Sequence, residues 1–195
     1  MIEYLEAIDR NIVLTINSYH SPFCDELMWW ISARITWIPL YIIIFYLVYQ
    51  KVGLKFAFLF LISVVLTIIV ADMTSVYLLK ETIQRYRPSH NLLIKDSLHL
   101  YKSSKDNYYA GGTYGFVSSH ATNFFVIATS FCLVFFKEYK TTSFFLFFIA
   151  LLVCYSRIYL GVHYLTDILA GAIFGIICAM LSYKFIWKKI YTGGK

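Results

Sequence analysis

His163 and Asp167 stand four residues apart, the spacing that sets two side chains on one face of a helix, and Arg157 precedes His163 by six positions. Ser118, Ser119 and His120 open one apolar stretch, while Lys80, Arg85, Arg87 and Pro88 follow the close of another. A transferring phosphoryl group spreads negative charge over its equatorial oxygens, so fixed cations and amide donors are what it needs. Lys80, Arg87 and Arg157 supply three cations, and the planar fork of arginine can grip two phosphate oxygens at once. Amides at the start of the stretch after Ser118, with the Ser118 hydroxyl, add neutral donors at the positive end of a helix dipole. A neutral imidazole can attack phosphorus when a carboxylate holds its other nitrogen as a donor, and Asp167 is spaced to do this for His163. His120, from a separate segment, can protonate the departing group and then activate water. Gly161 lets the chain turn between Arg157 and His163.

Taken singly, each residue has a plainer reading. Lys80 and Arg87 can snorkel to lipid headgroups. His120 can be a wetted helix start, and His163 with Asp167 a structural pair. Their shared position is what sets them apart, because ionisable side chains at the ends of apolar helices are costly unless they pair or do chemistry.

The elements that must position them are apolar. Of 195 residues, 59% are hydrophobic, 19% aromatic and 14% charged, too few polar side chains to cover a water-soluble fold. Apolar spans at 29–49, 56–79, 121–136, 143–159 and 168–186 predict an all-α integral membrane bundle of about five to six transmembrane helices, in one domain over 1–195. The catalytic segments are then 80–120 and 156–167. Glu3, Glu6 and Asp9 occupy the start where a secretory signal would be basic, so no cleavable signal peptide is expected. Ile2, Leu5, Ile8, Ile12 and Ile16 recur at helical spacing with Glu3, Glu6, Asp9 and Arg10 between them, which predicts an amphipathic interfacial helix within 1–20, or a plain surface helix. Trp29 and Trp30 suit an interfacial aromatic belt.

Cys24, Cys132, Cys154 and Cys178 have no metal-ligand spacing and read as small core residues, so no metal or other cofactor is expected. The net charge of +6 is spread among helix ends rather than gathered in a basic stripe, which argues against nucleic acid as a partner. The connections alternate in character. Those at 50–55 and 137–142 are short and basic; those at 80–118 and 157–167 are longer and polar, and all candidate groups fall on the latter side. The basic side holds Lys51, Lys55, Lys137 and Lys140, joined by Lys184, Lys188, Lys189 and Lys195 of the tail, and should be cytoplasmic. The site is then expected to face the periplasm or cell exterior from a bacterial inner membrane. Tyr101, Tyr108, Tyr109 and Tyr114, with Lys95, Lys102 and Lys105, could meet a headgroup from the connection after Ser89, or simply be a solvated loop.

These residues resemble the type 2 phosphatidic acid phosphatase superfamily. Lysine, six residues, then Arg-Pro matches Lys80 and Arg87-Pro88; Ser-Arg, five residues, histidine, three residues, aspartate matches Ser156-Arg157, His163 and Asp167. The middle motif, Pro-Ser-Gly-His, is met by Val117-Ser118-Ser119-His120, which keeps the serine and histidine. The resemblance spans about 56–186. It implies His163 as nucleophile, Asp167 as its orienter, His120 as acid and base, and Lys80, Arg87, Ser118, Ser119 and Arg157 as phosphate ligands. It also implies a metal-independent hydrolase with a phosphohistidine intermediate, acting on a lipid phosphomonoester or pyrophosphate: lipid A, undecaprenyl pyrophosphate or phosphatidylglycerol phosphate. Ser119-His120 followed by Ala121-Thr122-Asn123 is similar to lipid A phosphatases of Gram-negative bacteria. A scaffold or transporter keeping the fold without catalysis is the alternative. Gly171 and Gly175, with Ala170 and Ala172, form a small-residue face for helix packing within or between chains, which leaves the oligomeric state open.

Overall fold

The computed structural model describes residues 2–104 and 107–189, so Lys105 and Lys195 lie outside the described residues. Helix α1 (Ile2–Ser18) leads into α2 (Pro22–Ser32), then α3 (Ile38–Thr74), a π-helical turn (Ser75–Lys80) and a single turn α4 (Glu81–Ile83). A long connection carrying the two-stranded ribbon β1 (Lys102–Ser104) and β2 (Asn107–Tyr108) reaches α5 (Ser119–Phe135), α6 (Lys140–Tyr159) and α7 (Leu165–Ser182). The chain is an all-α membrane bundle, with helical stretches at Arg34–Ile83, Lys140–Tyr159 and Leu165–Trp187 long and apolar enough to cross a bilayer, and a shorter apolar helix at Ser119–Phe135.

The first of these is folded in two. Gly53 has φ 78°, a conformation open to glycine and strained for other residues, and it interrupts α3. On a straight helix Phe45 and Phe58 would lie about 20 Å apart. Their rings meet edge to face at 5.1 Å, so the two arms run back alongside one another. The arms correspond to the expected spans at 29–49 and 56–79, with one correction. Trp29 and Trp30 belong to α2, whose Ser21 cap accepts the amide of Cys24 and whose end at Ala33 is extended. Trp29 stacks on Tyr101 at 4.5 Å and meets Tyr109 edge-on at 5.0 Å, tying α2 to the long connection.

The two small-residue positions act within the chain. A Cβ at Gly171 would lie 2.7 Å from the carbonyl oxygen of Ser118, and one at Gly175 would lie 2.4 Å from that of Thr122. Helices α5 and α7 therefore touch backbone to backbone, and this fixes where Ser118, Ser119 and His120 sit relative to His163 and Asp167.

The expected alternation of connections holds in space. At one end Lys51 pairs with Glu138 at 3.4 Å and the Tyr139 hydroxyl donates to the carbonyl of Leu47 at 3.1 Å, so the two short basic connections meet. Trp187 packs on Phe60 near this end, ring centres 5.4 Å apart. At the other end the Ser89 amide donates to the carbonyl of Gly161 at 3.1 Å, which joins the two polar connections.

Helix α1 forms as expected, yet its buried ridge is not the isoleucine stripe. Asp9, Val13 and Asn17, spaced by four, are the buried positions, while Leu5 and Ile8 are exposed. The side-chain amide of Asn17 donates to the carbonyls of His99 and Tyr159, so α1 is bound to the polar connections by hydrogen bonds.

Candidate active site

His163 sits in the turn between α6 and α7, which Gly161 opens with φ 69°. Its side chain is buried, with Nδ1 3.4 Å from a carboxylate oxygen of Asp167 and Nε2 2.8 Å from a guanidinium nitrogen of Arg87. A guanidinium only donates, so Nε2 carries the lone pair and Nδ1 the proton, the tautomer in which Nε2 is free to become a nucleophile once Arg87 turns to another acceptor. Burial, then Arg87, Arg157 and Lys80, hold the pKa of His163 well below its ordinary 6.5. The imidazole is neutral at physiological pH.

Asp167 is wholly buried at the start of α7. One carboxylate oxygen faces His163 and accepts the amide of Tyr164 at 3.0 Å; the other accepts Arg85 at 2.8 Å. Glycine at 115 is required by this packing, because a Cβ there would stand 2.9 Å from the Asp167 carboxylate and 3.2 Å from the Arg87 side chain.

Arg87, 9% exposed, is fixed by the carbonyls of Tyr114 and Val162, each at 3.1 Å. Burial and the neighbouring Arg157 lower its pKa to about 10, which leaves it a cation near neutrality. Arg157 is buried at the end of α6 and donates to Ser32 and to the Tyr109 hydroxyl, the latter at 2.8 Å. Lys80 reaches across from the π-helical turn to donate to the Ser119 hydroxyl at 2.9 Å. Ser118 caps α5 with its hydroxyl buried and unbonded. Among the described residues, six buried side-chain polar atoms lack a hydrogen-bond partner, and three of them are Ser118 Oγ, Arg157 Nε and His163 Nδ1. Such atoms are rare in folded proteins; Ser118 Oγ and Arg157 Nε are donors left for an oxygen-rich group, whereas Nδ1 of His163 faces the Asp167 carboxylate.

His120, on the first turn of α5, is within electrostatic reach of Arg157, His163 and Arg87. It also lines a groove of about 320 Å³ with Arg34, Asn123 and otherwise apolar or aromatic side chains of both arms of α3 and of α5, among them Tyr41, Phe45 and Leu61. All eight expected site residues thus converge at one end of the bundle. Part of the long connection packs on the site, where the Tyr109 hydroxyl accepts Arg157 and the Ala110 carbonyl accepts the Ser89 hydroxyl, while Leu92, Leu93 and Tyr108 are exposed.

Sequence reasoning left Arg85, Asp9 and Thr166 outside the site. Arg85 bonds Asp167, Thr166 and Asp9 together. Its signal was its place two residues before Arg87, at the same helix end. Among the described residues no cluster of three or more His, Cys, Asp or Glu has metal-holding geometry.

A helical membrane bundle that closes two basic segments and a His–Asp pair over a buried cradle defines a class, and a family model described as the PAP2 superfamily matches residues 56–191. The chain belongs to that superfamily. It is 33% identical to a lipid A 4'-phosphatase of Porphyromonas gingivalis, over 94% of this chain and 75% of that one. It is 35% identical to a lipid A 4'-phosphatase of Bacteroides thetaiotaomicron, over 97% of this chain and 81% of that one. Among solved structures, LpxE of Aquifex aeolicus matches with a TM-score of 0.66 and 26% identity, over 91% of this chain and 96% of that one. A transmembrane PAP2-type phosphatidylglycerolphosphate phosphatase from Bacillus subtilis shares the fold, with a TM-score of 0.66 and 24% identity, over 95% and 87% of the two chains.

Proposed function

We propose that this protein is a membrane lipid phosphatase that removes a phosphate monoester from lipid A, the 4'-phosphate in particular, at a site facing the periplasm. The observation that carries a lipid substrate is the groove: His120, within electrostatic reach of Arg157 and Arg87, also lines an apolar channel between the arms of α3 and α5. An acyl chain fits the channel while the phosphate enters the cradle. The near-full-length similarity to two lipid A 4'-phosphatases supports the choice of headgroup.

In this reading Lys80, Arg87, Arg157 and the hydroxyls of Ser118 and Ser119 bind the phosphate, and Arg87 moves its donor from Nε2 of His163 to a phosphate oxygen as substrate enters. The Nε2 lone pair forms the N–P bond as the P–O bond to the sugar breaks, and His120 gives its proton to the leaving oxygen. Asp167 stabilises the imidazolium that results. Neutral His120 then takes a proton from water, whose oxygen attacks phosphorus, and inorganic phosphate departs as His163 recovers its lone pair. Protein cations supply the charge stabilisation that a metal would otherwise provide.

The test is phosphate release in detergent, with chelator present, from lipid A, undecaprenyl pyrophosphate and phosphatidylglycerol phosphate. Lipid A should turn over fastest, and His163→Ala should leave less than about one thousandth of wild-type kcat while eluting as the same folded species. Preference for another lipid would replace the substrate; release by His163→Ala at a tenth of the wild-type rate would remove the nucleophile; no release from any lipid would favour a non-catalytic membrane protein.

A further inference from the structure

Asp9 is an acid 2% exposed, on a helix that precedes the residues matched by the family model, and its carboxylate accepts three donors. One oxygen accepts the amide of Thr166 at 3.2 Å, and the other accepts the Thr166 hydroxyl and, at 2.7 Å, Arg85. Arg85 reaches from Asp9 to Asp167, its second terminal nitrogen lying 2.6 Å from the Thr166 hydroxyl and 2.8 Å from the Asp167 carboxylate. Its guanidinium also lies over the Tyr164 ring, 4.2 Å from the centre. A chain of contacts therefore runs from α1 to the imidazole: Asp9, Arg85, Asp167, His163.

We propose that Asp9 and Arg85 are positioning residues for the His163–Asp167 pair. The role rests on the phosphatase reading above and acts on the same site. Two physical effects support it. A buried carboxylate facing only a neutral imidazole would be expensive to keep ionised, and Arg85 offsets that cost from the side away from His163. A lone arginine could swing, whereas one held at both prongs by Asp9 and Asp167 and backed by an aromatic face has a single orientation. Fixing Arg85 fixes one Asp167 oxygen and so aims the other at Nδ1 of His163. Burial works against the charge of Arg85, but Asp167 and Asp9 outweigh it and raise its pKa above the ordinary arginine value, as a doubly paired cation requires.

A positioning role predicts coupling that a fold-supporting role does not. Asp9→Asn keeps the shape of the side chain and removes its charge, and should lower kcat on lipid A about tenfold or more while KM stays within about twofold, because the pair matters when the imidazole becomes cationic. In an Asp167→Asn background the same substitution should cost less than about twofold, since the carboxylate it serves is gone. Arg85→Lys keeps a charge and loses the second prong; it should repeat both results and decides the matter if Asp9→Asn does not assemble. Losses that multiply in the double variant, a change confined to KM, or full activity in both single variants would overturn the proposal. Those outcomes leave wild-type turnover intact, whereas a wild type inactive on every lipid removes the phosphatase reading and this role with it.

Discussion

The two ends of the bundle are buried by different physics. At the end bearing Lys51 and Glu138, the core is Ile44, Val48, Ala57, Phe60, Phe131, Phe135 and Trp187, with rings of Phe60, Phe135 and Trp187 meeting edge to face. At the other end the buried residues include Arg87, Ser118, Arg157, His163 and Asp167. Apolar packing is summed over many weak contacts and is not directional, so a core of this kind adapts to changes of shape. A cluster of buried charges has few acceptable arrangements, and loss of one partner strands another. The same helices thus carry a forgiving end and an unforgiving one.

The largest test of that contrast lies between the ends, where α5 and α7 touch. Gly175→Val should prevent assembly, because its Cβ would enter the backbone of Thr122 at 2.4 Å, while Phe135→Leu at the apolar end, away from the groove, should fold and hydrolyse lipid normally, with a stability cost of only about 1–2 kcal/mol. Expression yield and the size-exclusion profile in detergent check the first, and thermal unfolding with turnover checks the second. A Phe135→Leu protein that folds but loses activity would show that the ends are not independent.

A smaller effect separates them by pH. His163 is neutral when folded because burial and then Arg87, Arg157 and Lys80 depress its pKa, whereas in an unfolded chain it would titrate near 6.5. Below that value the unfolded chain binds a proton that the native fold refuses, so stability is lost as pH falls through about 6.5 toward the depressed folded value, by up to about 1.4 kcal/mol per pH unit. The melting temperature should therefore drop between pH 7 and pH 5, and His163→Asn should flatten part of that slope. An unchanged slope would mean that His163 is already charged in the resting fold.

Much of the apolar end was legible because hydropathy is additive along the chain: the spans of α5, α6 and α7 follow from runs of Phe, Leu and Ile. The cationic cradle was legible through motif spacing, since Lys80, Arg87, Arg157, His163 and Asp167 sit at helix ends where charge has little other reason to be. What escaped was pairing at long range. Periodicity put Asp9 on the polar face of an amphipathic helix, and that face is indeed hydrophilic, but it is turned into the protein toward a partner 76 positions away. A window average did separate the two arms of α3 at 50–55, where Gly53 turns the chain, but could not see that Trp29 belongs to α2 and stacks on Tyr101. That depends on one stacking partner rather than on composition.

The mildest perturbation asks which end faces which side. Leu92 is 80% exposed on the connection that follows Arg87, and Lys137 is exposed between α5 and α6 beside the Lys51–Glu138 pair. Neither touches the cradle, so Leu92→Cys and Lys137→Cys, made after Cys24, Cys132, Cys154 and Cys178 are replaced by alanine, should hydrolyse lipid as the parent does. The end with Lys51, Lys55, Lys137 and Lys140 carries basic residues close to helix ends that no phosphate-binding role explains, whereas Lys80, Arg87 and Arg157 at the other end are held in the site. The positive-inside bias then counts toward the first end alone. In intact spheroplasts a membrane-impermeant maleimide should label Leu92→Cys at once and Lys137→Cys only after lysis. The reverse pattern would turn the site toward the cytoplasm, where a lipid A phosphate that has already been exported could not reach His163, and a substrate made on the inner leaflet would take its place.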